Sequence, residues 1–311
     1  MSLKISITTV PFSKANIIAL EQEGFEVKLN SYNRKIQYEE IYEEVVDADL
    51  IIAGTEKYDR NLLSKLPKLK AISRVGSGID SIDLEYAKEK NIKIFNTPQE
   101  PGIGVAEYCL GVTICMLRDI FFSHDRLHNN KNWQRNIGLS LADAKIGLLG
   151  GGKVAAKFKD SLIGAGANKI YVHEKLDLNM NDMWDSDLIK ITTLEEIKSC
   201  DLISIHLPLT EETKGLVDDN FFNSLTNKPY LINTSRGEII KEQSLINALQ
   251  NNIISGAAID VYDEEPYKGN LLDIDNLITT PHIASSSRQV RDLMEKKSIG
   301  SLVDFMRVTN E

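Results

Sequence analysis

The stretch Lys145 to Ala155, KIGLLGGGKVA, constrains the fold of this chain more than any other. Its apolar run, Ile146 to Leu149, reads as a strand buried on both faces, because parallel strands covered on both sides are apolar throughout. Gly150, Gly151 and Gly152 follow, and then a helical pattern from Lys153 to Leu162. The spacing Gly150-x-Gly152-x-x-Ala155 fits the strand-to-helix turn that cradles a dinucleotide. Gly150 would permit the tight bend, Gly152 would let backbone approach a pyrophosphate, and Ala155 would let the helix pack closely on the strand. The N–H groups and positive dipole at the helix start would then face the phosphates. A glycine turn without a ligand would look the same, so a second feature is needed. The next strand-like run, Lys169 to Val172, leads to Glu174, nineteen residues beyond Ala155. A carboxylate there can accept from a ribose 2′-OH and would repel a 2′-phosphate, which favours NAD over NADP. The plainer reading of Glu174 is a solvated charge at a strand end.

The 311 residues are enough for two domains, and a net charge of −9 argues against a general binder of nucleic acid or of membrane surfaces. Cys109, Cys115 and Cys200 lack metal-ligand spacing, and an odd count argues against a disulfide framework. No metal site is expected; buried thiols in a reducing cytoplasm are. No signal peptide is read at the start, since a strand pattern begins at Lys4. The most apolar long segment, Ile103 to Phe122, contains Glu107, Arg118 and Asp119 and is not read as a membrane span.

Residues 4–96 alternate strand and helix, which predicts βαβ units and a parallel sheet. The glycine turn of this half is Val75-Gly76-Ser77-Gly78, at a strand end where α/β ligands bind. A plain βα connection explains it equally well. Pro98, Pro101 and Gly102 mark a boundary, and one long helix is predicted from about Gly104 to Asn130. Its broad apolar surface suggests a helix crossing between two subunits, hence a homodimer, against the competing account of a helix buried within its own chain. After the glycine turn a second α/β run follows: a loop over 176–187, a helix over 194–199, strands 201–207, 230–233, 255–261 and 277–280, and a closing helix over 286–308.

Three polar residues fall just beyond the strand ends of this second run: Arg236, Glu265 and His282. Hydride transfer at a hydroxy-acid carbon needs an acid/base for the hydroxyl proton and a cation for the carboxylate and developing alkoxide. An imidazole suits the first task near neutrality. Glu265 would favour the imidazolium and orient the ring, and Arg236 offers a planar fork to a carboxylate. Singly, each also reads as an ordinary structural residue; shared placement along one sheet edge is what distinguishes them.

With these residues in view the chain resembles the D-isomer-specific 2-hydroxyacid dehydrogenases over nearly its whole length. The resemblance rests on SRVGSGIDSIDLEYAKEKNIKIFNTP (73–98), VAEYCLG (105–111), GLLGGGKVA (147–155), CDLISIHLPLTEETKGLVD (200–218), INTSRGEII (232–240), GAAIDVYDEEP (256–266) and TTPHIAS (279–285). It implies that Arg236 binds substrate, Glu265 is the catalytic glutamate and His282 the acid/base. Asp260 would hold the nicotinamide carboxamide, and backbone at Lys153 and Val154 the pyrophosphate, with Glu174 on the ribose. Leu207, Pro208 and Thr213 would border the adenosine, and Thr234 the nicotinamide. The N–H groups of Val75, Gly76, Ser77 and Gly78 would hold the substrate carboxylate.

The resemblance also implies a Rossmann NAD-binding domain, 98–284, inserted into a flavodoxin-like substrate-binding domain, 1–97 plus 285–311, with closure between them excluding water. Both domains would carry parallel sheets. Two positions depart from the family pattern: Pro101 stands where an asparagine is common, and Ser140 where a glutamate is. The first half looks most like the phosphoglycerate-dehydrogenase branch, and any such enzyme would be expected to be a short form without a regulatory C-terminal domain. Phosphate recognition would need basic residues near the loop after Ile52; Lys57 and Arg74 are available there, and a plainly solvated Lys57 is the expected reading. The expected partner is thus a small 2-hydroxy or 2-keto acid, with D-3-phosphoglycerate, glyoxylate, hydroxypyruvate and lactate-like substrates all open. The rival reading is an NAD(H)-sensing protein or corepressor on the same scaffold.

Overall fold

The structure is a computed structural model that describes residues 2–98, 100–174, 184 and 186–309. The chain divides into two compact units, Met1–Pro101 with Ser287–Glu311, and Gly102–Ser286. The breaks thus fall at Pro101 and Ser286, against the sequence-based limits at 97 and 284.

In the first unit, β1 (Lys4–Ile7), β2 (Glu26–Leu29), β3 (Leu50–Ala53), β4 (Ala71–Arg74) and β5 (Lys93–Asn96) form one sheet in the order β2-β1-β3-β4-β5. Every pairing is parallel. This is the 2-1-3-4-5 order of flavodoxin-like folds. Alternation along the strands divides the core in two. Ile51, Ala53 and Ile72 face α2 (Ile41–Val45), α3 (Arg60–Leu63) and α4 (Leu84–Glu89). Leu50, Ile52 and Ala71 face α1 (Lys14–Gln22) and the C-terminal helix Arg288–Thr309. That last helix is tied to α1 by the buried Glu295 carboxylate, which accepts from Ser13 N, Asn16 Nδ2 and Arg291 Nε at 2.8–2.9 Å.

The second unit opens at the second residue of α5 (Pro101–Leu117) and continues with α6 (Ile120–Asn130). Proline suits the first helical position, where no intrahelical acceptor exists for its missing N–H. The single helix expected over 104–130 is in fact two. Asp119 takes a left-handed φ of +54°, which ends α5, and its carboxylate then accepts from Ser123 Oγ, Asn136 Nδ2 and Arg126. An aspartate tolerates this conformation better than most residues. The expectation of a subunit-crossing helix needs correction for α5: Val105, Ala106, Cys109 and Met116 lie in the core of their own unit.

Strands β6 (Lys145–Leu149), β7 (Lys169–His173), β8 (Ile189–Ile191), β9 (Leu202–Ile205), β10 (Tyr230–Asn233), β11 (Gly256–Ile259) and β12 (Leu277–Thr279) form the second sheet, ordered β12-β11-β10-β9-β6-β7-β8 and parallel throughout. The chain order reverses between β6 and β9, which is the Rossmann switch point, where ligands bind beyond the strand ends. One face carries α5, α6 and α7 (Lys153–Gly164); the other carries α8 (Leu194–Ile197), α9 (Asp219–Asn223) and α10 (Glu242–Gln250). Strand β8 was not anticipated, because three partly exposed residues at a sheet edge carry no apolar run. The loop expected over 176–187 lies outside the described residues except at 184, 186 and 187. No helix among the described residues is long and apolar enough to cross a membrane.

Phe158 on α7 is fully buried and sets its ring 5.6 Å from that of His206, beyond the end of β9. Phe158→Ala is expected to lower unfolding stability by about 3–5 kcal/mol in urea denaturation. A loss below ~1 kcal/mol would contradict its part in joining α7 to the sheet.

Candidate active site

Three neighbouring parallel strands, β10, β11 and β12, carry the polar residues at their carboxyl ends. Arg236 follows β10 in extended conformation, with its carbonyl bound by Asn233 Nδ2 at 2.8 Å and its own Nη1 donating to Ser235 O at 2.6 Å. Gly237 comes next because the Tyr262–Asp263 backbone lies against it; a Cβ there would strike the Tyr262 carbonyl carbon. The arginine turn after β10 is therefore packed directly on the segment leading to Glu265.

Glu265 and His282 meet. His282 Nδ1 lies 2.9 and 3.0 Å from the two Glu265 carboxylate oxygens, and the backbone N–H of Tyr262 also points to Oε1 at 3.4 Å. The histidine side chain is 33% exposed and the glutamate 17%, so the pair is shielded while the ring keeps one accessible edge. A carboxylate on Nδ1 requires the proton there, which leaves Nε2 as the proton-accepting nitrogen of the neutral ring. His282 itself has a φ of +55°, and its N–H donates to Asp260 O at 2.9 Å and Thr280 O at 3.0 Å. Left-handed backbone at a non-glycine residue persists only where its surroundings enforce it.

Asp260 supplies that enforcement. Its carboxylate is fully buried and accepts from Thr280 Oγ1 at 2.6 Å and from the Ile283 and Ala284 N–H groups at 2.8 Å each. Burial pushes its pKa up, and these three donors pull against that rise. Thr280 Oγ1 also lies 2.7 Å from the Tyr108 hydroxyl on α5, a phenol whose pKa burial raises strongly. Tyr108 and Thr280 were not singled out as site residues by sequence reasoning, although both lie inside quoted motifs. The expected contact of Asp260 with a carboxamide would have to share a carboxylate already engaged by its own loop.

At the switch point the glycine turn has the geometry a dinucleotide requires. Gly150 has a φ of +99°, and a Cβ on it would come 2.6 Å from His206 O, so only glycine fits. Gly152 caps α7 without a side-chain acceptor, and a Cβ there would meet nothing within 4 Å. The first-turn N–H groups at Lys153 and Val154 thus open onto space that can admit phosphate oxygens. Glu174, just after β7, accepts from Gly151 N at 2.8 Å, which places its carboxylate beside the turn. Across the switch point, Thr213 Oγ1 donates to Pro208 O at 2.6 Å and Leu207 packs on the core, fixing the loop after β9. His206 beside it is held neutral, its pKa lowered to about 4 by burial. Thr234 hydroxyl lies 3.5 Å from Cys109 Sγ, a thiol that burial pushes up to about 12.

The remaining predicted residues, Val75 to Gly78, follow β4 in the first unit. Gly76 has a φ of +141°, and its N–H is taken by Thr97 Oγ1 at 2.7 Å. Asn96 Nδ2 donates to Ser77 O, and Arg74 Nη1 folds onto Val75 O at 2.5 Å. Lys57 is 69% exposed and pairs with Asp59 at 3.8 Å. Among the described residues no group of three His, Cys, Asp or Glu could hold a metal.

Asp260→Asn would set an amide NH2 against backbone N–H donors in a buried position. The expected cost is at least about 2 kcal/mol in urea denaturation, since bonds to a charged acceptor contribute ~1.5–3 kcal/mol each. A change under ~0.5 kcal/mol would show that the carboxylate does not hold the His282 segment.

The family model described as "D-isomer specific 2-hydroxyacid dehydrogenase, NAD binding domain" matches residues 110–284, over half of the chain. A D-3-phosphoglycerate dehydrogenase of Methanocaldococcus jannaschii is 31% identical over 301 residues, covering 96% of this chain and 55% of its own length. A glyoxylate reductase of Thermococcus litoralis is 29% identical over 272 residues, covering 84% of this chain and 81% of that one. Among solved structures, cofactor (NAD+)-bound 3-phosphoglycerate dehydrogenase of Entamoeba histolytica aligns with a TM-score of 0.79 and 27% identity, covering 99% of this chain and 96% of that one. The chain spans about half the length of several curated phosphoglycerate dehydrogenases it matches. It belongs to the D-isomer-specific 2-hydroxyacid dehydrogenase family, and its residues 110–284 are that family's NAD-binding domain.

Proposed function

We propose that this chain is an NAD-dependent oxidoreductase that interconverts a D-2-hydroxy acid and its 2-keto acid. The observation that carries the reading is the bond from His282 Nδ1 to the Glu265 carboxylate, one strand away from Arg236 at the same sheet edge. NAD, when bound, would supply the hydride acceptor for oxidation, and NADH the hydride for reduction. His282 takes the hydroxyl proton on Nε2 during oxidation and gives it back to the forming alkoxide during reduction. Glu265 keeps the proton on Nδ1 and stabilises the imidazolium formed in between. Arg236 draws the substrate carboxylate and carbonyl oxygen onto its planar fork. Asp260 holds the histidine segment, with contact to a carboxamide as its further proposed role. Lys153 and Val154 N–H groups take the pyrophosphate, with Leu207, Pro208 and Thr213 on the adenosine side and Thr234 at the nicotinamide. Val75 N donates to Ala53 O at 2.9 Å and Gly76 N to Thr97 Oγ1, which corrects the expectation for those two donors; the proposed carboxylate role passes to the N–H groups of Ser77 and Gly78, on the resemblance.

The acid itself is chosen from a panel of glyoxylate, hydroxypyruvate, its phosphorylated form and pyruvate. Homodimer formation is proposed through α6 and the segment after it, where Ile120, Phe121, Leu127, Trp133 and Ile137 are exposed apolar residues. Free, buried Cys109 and Cys200 support a reducing, cytoplasmic setting.

Purified protein with NADH and that panel, read at the nicotinamide absorbance, should oxidise NADH with at least one acid. NADH binding without turnover on any acid would sink the enzyme reading in favour of a sensor. His282→Ala should cut turnover by about 10²–10⁴-fold while leaving NADH affinity near wild type; parallel loss of both would contradict its proton-transfer role. Glu174→Ser should weaken NADH more than NADPH, and an unchanged preference would remove the ribose contact.

A further inference from the structure

Gly151, the middle glycine of the turn, is gripped on both sides by residues from one connection. Its N–H donates to Glu174 Oε2 at 2.8 Å, and its carbonyl accepts from Trp184 Nε1 at 3.2 Å. Trp184 is 4% exposed and packs in the core with Ala155, Phe158 and Leu162 of α7. Lys159 Nζ lies 5.7 Å from its ring centroid, and this half-turn of α7 carries the buried ammonium that pairs with Asp160 at 2.6 Å. The indole is thus locked by packing and by a cation near its face.

A trans peptide is planar, with its C=O and N–H pointing in opposite directions. The cis bonds among the described residues are Val10–Pro11 and Glu265–Pro266, so the Gly151–Gly152 peptide is trans. With the Gly151 carbonyl turned toward Trp184, the Gly152 N–H must point the other way. That is the residue whose missing side chain leaves open space, at the start of α7. We propose that Trp184 is a positioning residue for the cofactor: by holding the Gly151 carbonyl it aims the Gly152 N–H at a pyrophosphate oxygen. Glu174 fixes the preceding N–H, so the two side chains together orient both peptides of Gly151. The glycines cannot do this themselves, because the freedom that lets them bend also lets each peptide flip. The inference rests on the NAD reading above.

The test compares wild type with Trp184→Phe, which keeps the aromatic packing and removes the N–H. Titration calorimetry with ADP-ribose, which carries the pyrophosphate without the nicotinamide, should show a Kd raised about three- to tenfold, the range of one net hydrogen bond. KM for NADH should rise by the same factor while kcat at saturating NADH stays within about twofold of wild type. An unchanged Kd overturns the proposal, and so does a loss of kcat and Tm without a change in Kd, which would mark Trp184 as packing alone. A second readout needs no change at Trp184. The chain has two tryptophans, so in Trp133→Phe the emission belongs to Trp184. It should shift on ADP-ribose addition, and constant emission counts against the proposal. Wild type that binds neither ADP-ribose nor NADH would overturn the NAD reading instead, which keeps the two failures distinguishable.

Discussion

The site depends on one buried carboxylate. Asp260 is withdrawn from water at the end of β11, and a charge in that position is tolerable only if its lone pairs are used. Thr280, Ile283 and Ala284 supply the donors, all from the segment that follows β12. Satisfying the charge therefore bends that segment back over the sheet, and His282 sits at the bend with a φ no helix or strand would give it. Once the backbone is held, Glu265 has only to orient the ring. The residue proposed to exchange a proton takes its geometry from one given no such role.

The same economy shapes the cofactor end. The Rossmann order of the second sheet separates β7 and β9 to opposite sides of β6, so the turn at Gly150 faces open space between diverging connections. Glycine at 150 answers to the backbone of His206, glycine at 237 to the backbone of Tyr262. In both places a strand end is pressed against its neighbour's loop, and the sequence carries glycine where a side chain would collide. Flexible turns of this kind need outside restraint, which Glu174 and Trp184 provide at Gly151.

Much of this was legible in the chain. Parallel strands buried on two faces are apolar runs, and the two sheets were readable from them. The glycine spacing marked the turn, and Arg236, Glu265 and His282 could be picked out because each follows such a run directly. Other features gave no such signal. The break at Asp119 lies in an unbroken helical pattern and arises from donors at 123, 126 and 136 that collect on one carboxylate. Strand β8 is too short and exposed to stand out. Trp184 sits in a polar stretch, where a lone indole was the single hint of packing.

Sequence by itself determined what depends on local order: the periodicity of the strands and helices, the glycines at bends, and which polar residues end which strands. It also determined the family, since seven motifs in one order leave little room for another. Tertiary structure decided what depends on groups far apart in the chain. Asp260 became the anchor of the histidine segment, Tyr108 met Thr280 across 172 positions, and an indole came to hold the carbonyl of Gly151. Hydrogen bonds of that kind are short-ranged and directional, so they exist only once the sheets have set the distances.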